Sequence, residues 1–128
     1  NAAKAKAGIP TKEAKALAWK SIMEDETLSN DVLNATVMGF NNADQKELLK
    51  DYVDQYFAVL PRIWQERSNE IAQTITLGLY PTYQFDQAIV DASETFLKNV
   101  DVPYGCKRLV GEGRDGLVRA LACQKADA

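Results

Sequence analysis

The stretch KELLKDYVDQYFAVLPRIWQER, residues 46–67, constrains this chain more than any other. Leu48, Leu49, Tyr52, Val53, Tyr56, Phe57, Leu60, Ile63 and Trp64 recur at steps of three and four residues. That is the helical period, and it places them on one broad stripe. Lys50, Asp51, Asp54, Gln55, Arg62, Gln65 and Glu66 fill the opposite side. A stripe this rich in aromatic rings is too large for a lone surface helix and asks for helices on either side. Pro61 falls inside the pattern. It has no N–H for the Phe57 carbonyl and disfavours helical angles at Leu60, so a kink or break is expected near residues 59–61.

At 128 residues the chain suffices for one domain with a real core. Net charge is −3, with basic residues scattered among acids, so nucleic acid is not an expected partner. Apolar runs such as Phe57 to Leu60 fall far short of a membrane span, and no signal peptide is visible. Residues 1–8 read as a flexible tail or cloning remnant, leaving 9–128 as a single domain.

Histidine is absent. That removes every His-based zinc site, His general base and Ser-His or Cys-His pair. Cys106 and Cys123 are the only cysteines, too few for a four-cysteine site. On one straight helix they would stand ~25 Å apart, beyond the reach of a disulfide, so free thiols are expected. Free thiols suit a reducing compartment.

In chain order, Thr11 is an N-cap for a helix carrying Ala18, Trp19, Ile22 and Met23. Ser29 caps a second helix running to about Phe40, and Asp44 with Glu47 has capping-box spacing. Ser68 caps a helix that Gly78 and Pro81 end. Phe85, Ile89, Ala92, Phe96 and Leu97 mark the next, and Val102 with Pro103 begins the last. Gly111, Gly113 and Gly116 weaken that helix, so a kink or a close contact is expected there. The expected fold is all-α, about seven antiparallel helices stacked as hairpins in a HEAT- or armadillo-like superhelix.

Glu24, Asp25 and Glu26, and separately Asp51 with Asp54, lie among turn or polar-face residues and read as solvated surface. Arg108 with Glu112 and Asp115 with Arg119 have the four-residue spacing of helix ion pairs. Arg114 is then left over and is the candidate to face a carboxylate. Neither cysteine has a histidine to activate it. Tyr80, Tyr83 and Tyr104 sit at helix ends, where packing is the plain reading. No catalytic or metal-binding residue emerges.

Three runs taken together, LAWKSIMEDETLSNDVLNATVMGF, YVDQYFAVLPRIWQERSNEIAQTITLGLYP and KRLVGEGRDGLVRAL, carry a family likeness across about residues 9–124. They resemble the C-terminal helical domain of actinobacterial-type aminopeptidase N, a zinc gluzincin, and through it the endoplasmic-reticulum aminopeptidases. Departures fall at residues 41–45, 104–107 and Gly111. The family's H-E-x-x-H and G-x-M-E-N motifs are not present, so no catalytic residue carries over. The resemblance implies a non-catalytic cap joined to a zinc-bearing catalytic domain of the same polypeptide. Such a cap encloses the chamber, controls peptide access, and belongs to a cytoplasmic enzyme. Some relatives hold a peptide's C-terminal carboxylate with basic side chains, a role for which Arg114 is the candidate here. The alternative is a stand-alone helical-repeat scaffold that binds another protein.

Overall fold

The computed structural model describes residues 2–127, and among them every regular element is helical. The helices are α1 (Ala2–Ala7), α2 (Lys12–Glu24), α3 (Asn30–Phe40), α4 (Lys46–Leu49), α5 (Val53–Glu66), α6 (Asn69–Gly78), α7 (Gln87–Asn99) and α8 (Tyr104–Asp127). Short 3-10 turns at Ala43–Gln45, Lys50–Tyr52 and Thr82–Gln84 join some of them. This is the expected all-α class. The chain divides into two compact units, one ending at Tyr52 and the other beginning at Val53.

In the first unit α1 packs chiefly on α3, and α2 lies against both. Thr11 caps α2 by accepting from the Ala14 N–H, and Ser29 caps α3 through the Val32 N–H, both as the sequence indicates. Ile22, Leu33, Val37, Phe40 and Leu49 are buried. Trp19, Phe40 and Tyr52 form an aromatic triad with centroids 5.0–5.5 Å apart. The expected tail at residues 1–8 is corrected here: residues 2–7 are a helix, with Ala7 buried. Asn1 lies outside the described residues. Alanine has the highest helix propensity, but six residues cannot hold a helix alone, so packing must do it. Gly39 permits that packing. A Cβ there would overlap the Lys4 carbonyl oxygen and lie 2.9 Å from the Ala7 Cβ.

The capping box expected at Asp44 and Glu47 is also corrected. Asn42 accepts from the Asp44 N–H and starts a 3-10 turn instead, an Asx-type turn in which the side chain bonds the amide two residues ahead.

In the second unit α8 packs on α6 and α7, and α5 on the same two helices. Tyr56, Leu60, Ile63, Ala72, Ile75, Val90, Val110 and Leu117 build its core. The Tyr56 hydroxyl donates to the Thr76 carbonyl at 2.6 Å, and Trp64 Nε1 donates to Thr76 Oγ1 at 2.8 Å. Phe85 does not join α7. It occupies the left-handed region with φ 53° after the 3-10 turn, and Asp86 caps α7 through the Ala88 N–H.

Of the kink or break expected at residues 59–61, the break is not found: α5 runs through Pro61 without interruption. Residues 46–67 divide earlier, where Lys50–Tyr52 tightens into a 3-10 turn. Proline removes one hydrogen bond, whereas Tyr56, Leu60 and Ile63 are each no more than 1% exposed. Burying three large side chains, at roughly 1.5–3 kcal/mol each, outweighs a proline cost of about 3 kcal/mol. Pro61→Ala returns an N–H donor for the Phe57 carbonyl. It is expected to raise stability by about 1–3 kcal/mol, less the fraction that proline contributes by stiffening the unfolded chain. Urea unfolding checks this, and an unchanged or lower midpoint would show that the core has shaped itself around the ring.

Candidate functional site

Arg114 projects from α8 toward α7 in the second unit. Its Nε and Nη2 donate to Glu94 Oε1 at 3.0 and 2.5 Å, and Nη1 donates to Asp115 Oδ1 at 3.1 Å. The expectation that Arg114 is left over is therefore corrected. Asp115 pairs with its immediate neighbour Arg114 in place of Arg119, because Glu94 on α7 draws the guanidinium to that side. Hydrogen bonds to Glu94 and then to Asp115 raise the Arg114 pKa further above its ordinary value. Arg108 and Glu112 do form the expected pair, at 2.9 Å.

Beneath this pair, the Tyr80 ring lies flat on the α8 backbone. A Cβ at Gly113 would fall 2.9 Å from three of its ring carbons. Of the two outcomes expected for the glycines of α8, a close contact is seen at Gly113, and α8 continues through all three. The Tyr80 hydroxyl lies 2.7 Å from Ser93 Oγ, which donates to the Ile89 carbonyl at 2.8 Å. Burial pushes the Tyr80 phenol above its ordinary pKa. Tyr80 is thus a buried packing element, as read from sequence, whereas Tyr83 and Tyr104 are exposed.

Cys106 is fully buried and Cys123 exposed, and both are free. Burial pushes the Cys106 thiol up to about 12, so at neutral pH it is an unreactive neutral packing group. Glu24, Glu26, Asp51 and Asp54 are exposed, and Asp25 accepts from the Thr27 N–H and hydroxyl in a turn. Among the described residues no cluster of three His, Cys, Asp or Glu side chains is placed to hold a metal. These residues do not fit a zinc site. No helix of the described residues is long and apolar enough to cross a membrane.

Sequence reasoning missed one residue, Lys15. Its side chain is 0% exposed, and Nζ donates to the carbonyls of Ala7 at 2.8 Å, Gly39 at 3.2 Å and Phe40 at 3.1 Å. The Phe40 ring lies 5.6 Å from the ammonium. All three carbonyls belong to the last turns of α1 and α3, where the helix leaves oxygens without intrahelical partners and carries partial negative charge. Burial draws the Lys15 pKa down from 10.5. A signal was present, because Lys15 stands three, four and seven residues before Ala18, Trp19 and Ile22, on the apolar stripe of α2.

Lys15→Met keeps most of the volume and removes the donor. It is expected to cost about 1–3 kcal/mol, the penalty for leaving buried carbonyls without a charged partner. Amide exchange in residues 2–8 should quicken before the rest of the unit opens. Unchanged exchange there would mean that packing against Gly39 alone holds α1.

The comparisons with known proteins bear on this arrangement as a whole. Over all 128 residues the chain is 44% identical to a protein named aminopeptidase N from Streptomyces lividans, of which it spans 15% of the length. The family model for the ERAP1-like C-terminal domain matches residues 1–119. That match takes in all of the first unit and most of the second, through the Arg114 seam. The chain belongs to the ERAP1-like C-terminal domain family.

Proposed function

We propose that this chain is the non-catalytic C-terminal cap of a cytoplasmic zinc aminopeptidase, joined to the catalytic domain of the same polypeptide. The observation that carries the reading is full-length similarity to a small part of a far longer aminopeptidase N, in a chain without histidine. A cap with no ligand for zinc acts by enclosing a chamber, admitting peptides and setting their orientation. The stand-alone scaffold has no comparable support. An enzyme lacking residues 1–128 should keep its zinc. Its turnover of a single aminoacyl-arylamide should fall less than its discrimination among longer peptides. Equal losses on both substrate classes, in protein that remains folded, would refute the cap role.

Arg114 is the candidate within the cap for a peptide's C-terminal carboxylate. Its pairing with Glu94 and Asp115 means that a peptide must compete with two carboxylates already in place. Under this reading Arg114→Ala raises KM for free-acid peptides and leaves their C-terminal amides unchanged. Equal effects on both, or none, would leave Arg114 as the tie between α7 and α8.

A further inference from the structure

The outward stripe of α8 holds three groups that the fold of the second unit does not use. Gly111 lies in the interior of the helix with ordinary helical angles, and no atom stands within 4 Å of where its Cβ would be. Neither packing nor backbone conformation calls for glycine there, the poorest helix former after proline. Tyr104 is 73% exposed, more than any other large apolar side chain described. Lys107 is exposed and has no ion-pair partner among the described residues, whereas Arg108 and Arg114 on the same helix are both paired.

Tyr104, Lys107, Gly111, Asp115 and Val118 follow one another at steps of three, four, four and three residues, which keeps them on one stripe. The steps read the same from either end, and their centre is Gly111. A two-fold axis through Gly111, perpendicular to α8, therefore lays the stripe antiparallel on a copy of itself. Tyr104 then meets Val118 of the other copy, Lys107 meets Asp115, and Gly111 meets Gly111. Arg114 bonds Asp115 through Oδ1, which leaves Oδ2 to accept from a lysine. Arg108 comes to face Arg114, but Glu112 and Glu94 already neutralise them. Lys107, Arg108 and Arg114 are matched in number by Glu94, Glu112 and Asp115, so two copies approach without net repulsion.

We propose that this stripe of α8 is a self-association surface, on which two copies of the chain pair antiparallel about Gly111. The contact is isologous, the same patch serving both copies. Glycine at the crossing lets the two helix backbones come closer than any side chain allows. Tyrosine at each end supplies a large ring that loses little rotamer freedom when covered. One helix from each copy buries less than the roughly 1,200 Å² at which standard interfaces begin, so the pair is weak and reversible. It is independent of the cap role, since no peptide or catalytic group takes part.

Sedimentation velocity over a concentration series, on the protein carrying this chain, should show exchange between monomer and dimer. Lys107→Glu and Asp115→Lys each set like charges opposite one another at two symmetry-related places, and each should weaken the dimer about ten-fold or more. Mixed in equal amounts, the two variants should pair with one another as tightly as the unaltered protein does, because each supplies the charge that the other lacks. That recovery is specific to residue 107 lying opposite residue 115. Gly111→Leu places a better helix former on α8, so the fold should survive, with an unchanged far-ultraviolet circular dichroism spectrum, while the dimer is lost. A monomer at every concentration would overturn the proposal. So would a dimer that Gly111→Leu leaves unchanged, or charge variants that fail to pair when mixed.

Discussion

A lysine side chain with none of its surface exposed must exchange its hydration for oxygen atoms supplied by the protein, or the chain does not fold around it. For Lys15 those oxygens come from two helix ends, the Ala7 carbonyl of α1 and the Gly39 and Phe40 carbonyls of α3. The first unit is arranged to make this exchange possible. The two C-termini must converge on one point of α2, which fixes where α1 and α3 can cross. Gly39 lets them approach, because a side chain there would collide with the α1 backbone. Gln45 Nε2 adds a bond to the Gly8 carbonyl at 2.8 Å, just beyond the same helix end. A hydrophobic contact tolerates sliding, but three hydrogen bonds to one ammonium do not.

The second unit solves a related problem with neutral groups. Thr76 is nearly fully buried, and its two oxygens receive Tyr56 and Trp64 from α5. Its hydroxyl also donates within α6 to the Ala72 carbonyl at 2.7 Å. One residue therefore registers α5 on α6 at two positions. The Tyr56 ring meets Tyr80 edge-on at 6.0 Å, and Tyr80 presses on Gly113 of α8. A continuous path of buried rings and hydrogen bonds links α5, α6, α7 and α8. Arg114 and Glu94 close the outer edge of that path, where solvent exposure limits the energy of an ion pair.

How much of this was legible in the sequence depended on the range of the interaction. Caps at Thr11, Ser29 and Ser68 are local, since the side chain bonds an amide three residues ahead, and they were read correctly. Helical period likewise gave the class and most of the core. No break forms at Pro61, because local rules price a missing hydrogen bond but not the buried side chains around it. Arg114 was misjudged because Glu94 lies twenty positions away on another helix and outranks spacing within α8. The tail at residues 2–7 was unreadable for the same reason: Gly39 and Lys15, which hold it, are distant in sequence. Only Lys15 offered a neglected local clue, a charge on an apolar stripe.

The same arrangement bears on what such a domain can contribute to an enzyme. Among the described residues, the buried Lys15, Tyr56 and Tyr80 are held by hydrogen-bond partners, and burial keeps the Cys106 thiol neutral. In the proposed cap role such a chain contributes shape and surface. Under the proposed cap role, shape is useful only if it is rigid, because a chamber wall that yields cannot sort peptides by length or orientation. Rigidity is what Lys15 and Thr76 supply, each by fixing the register of neighbouring helices at more than one point.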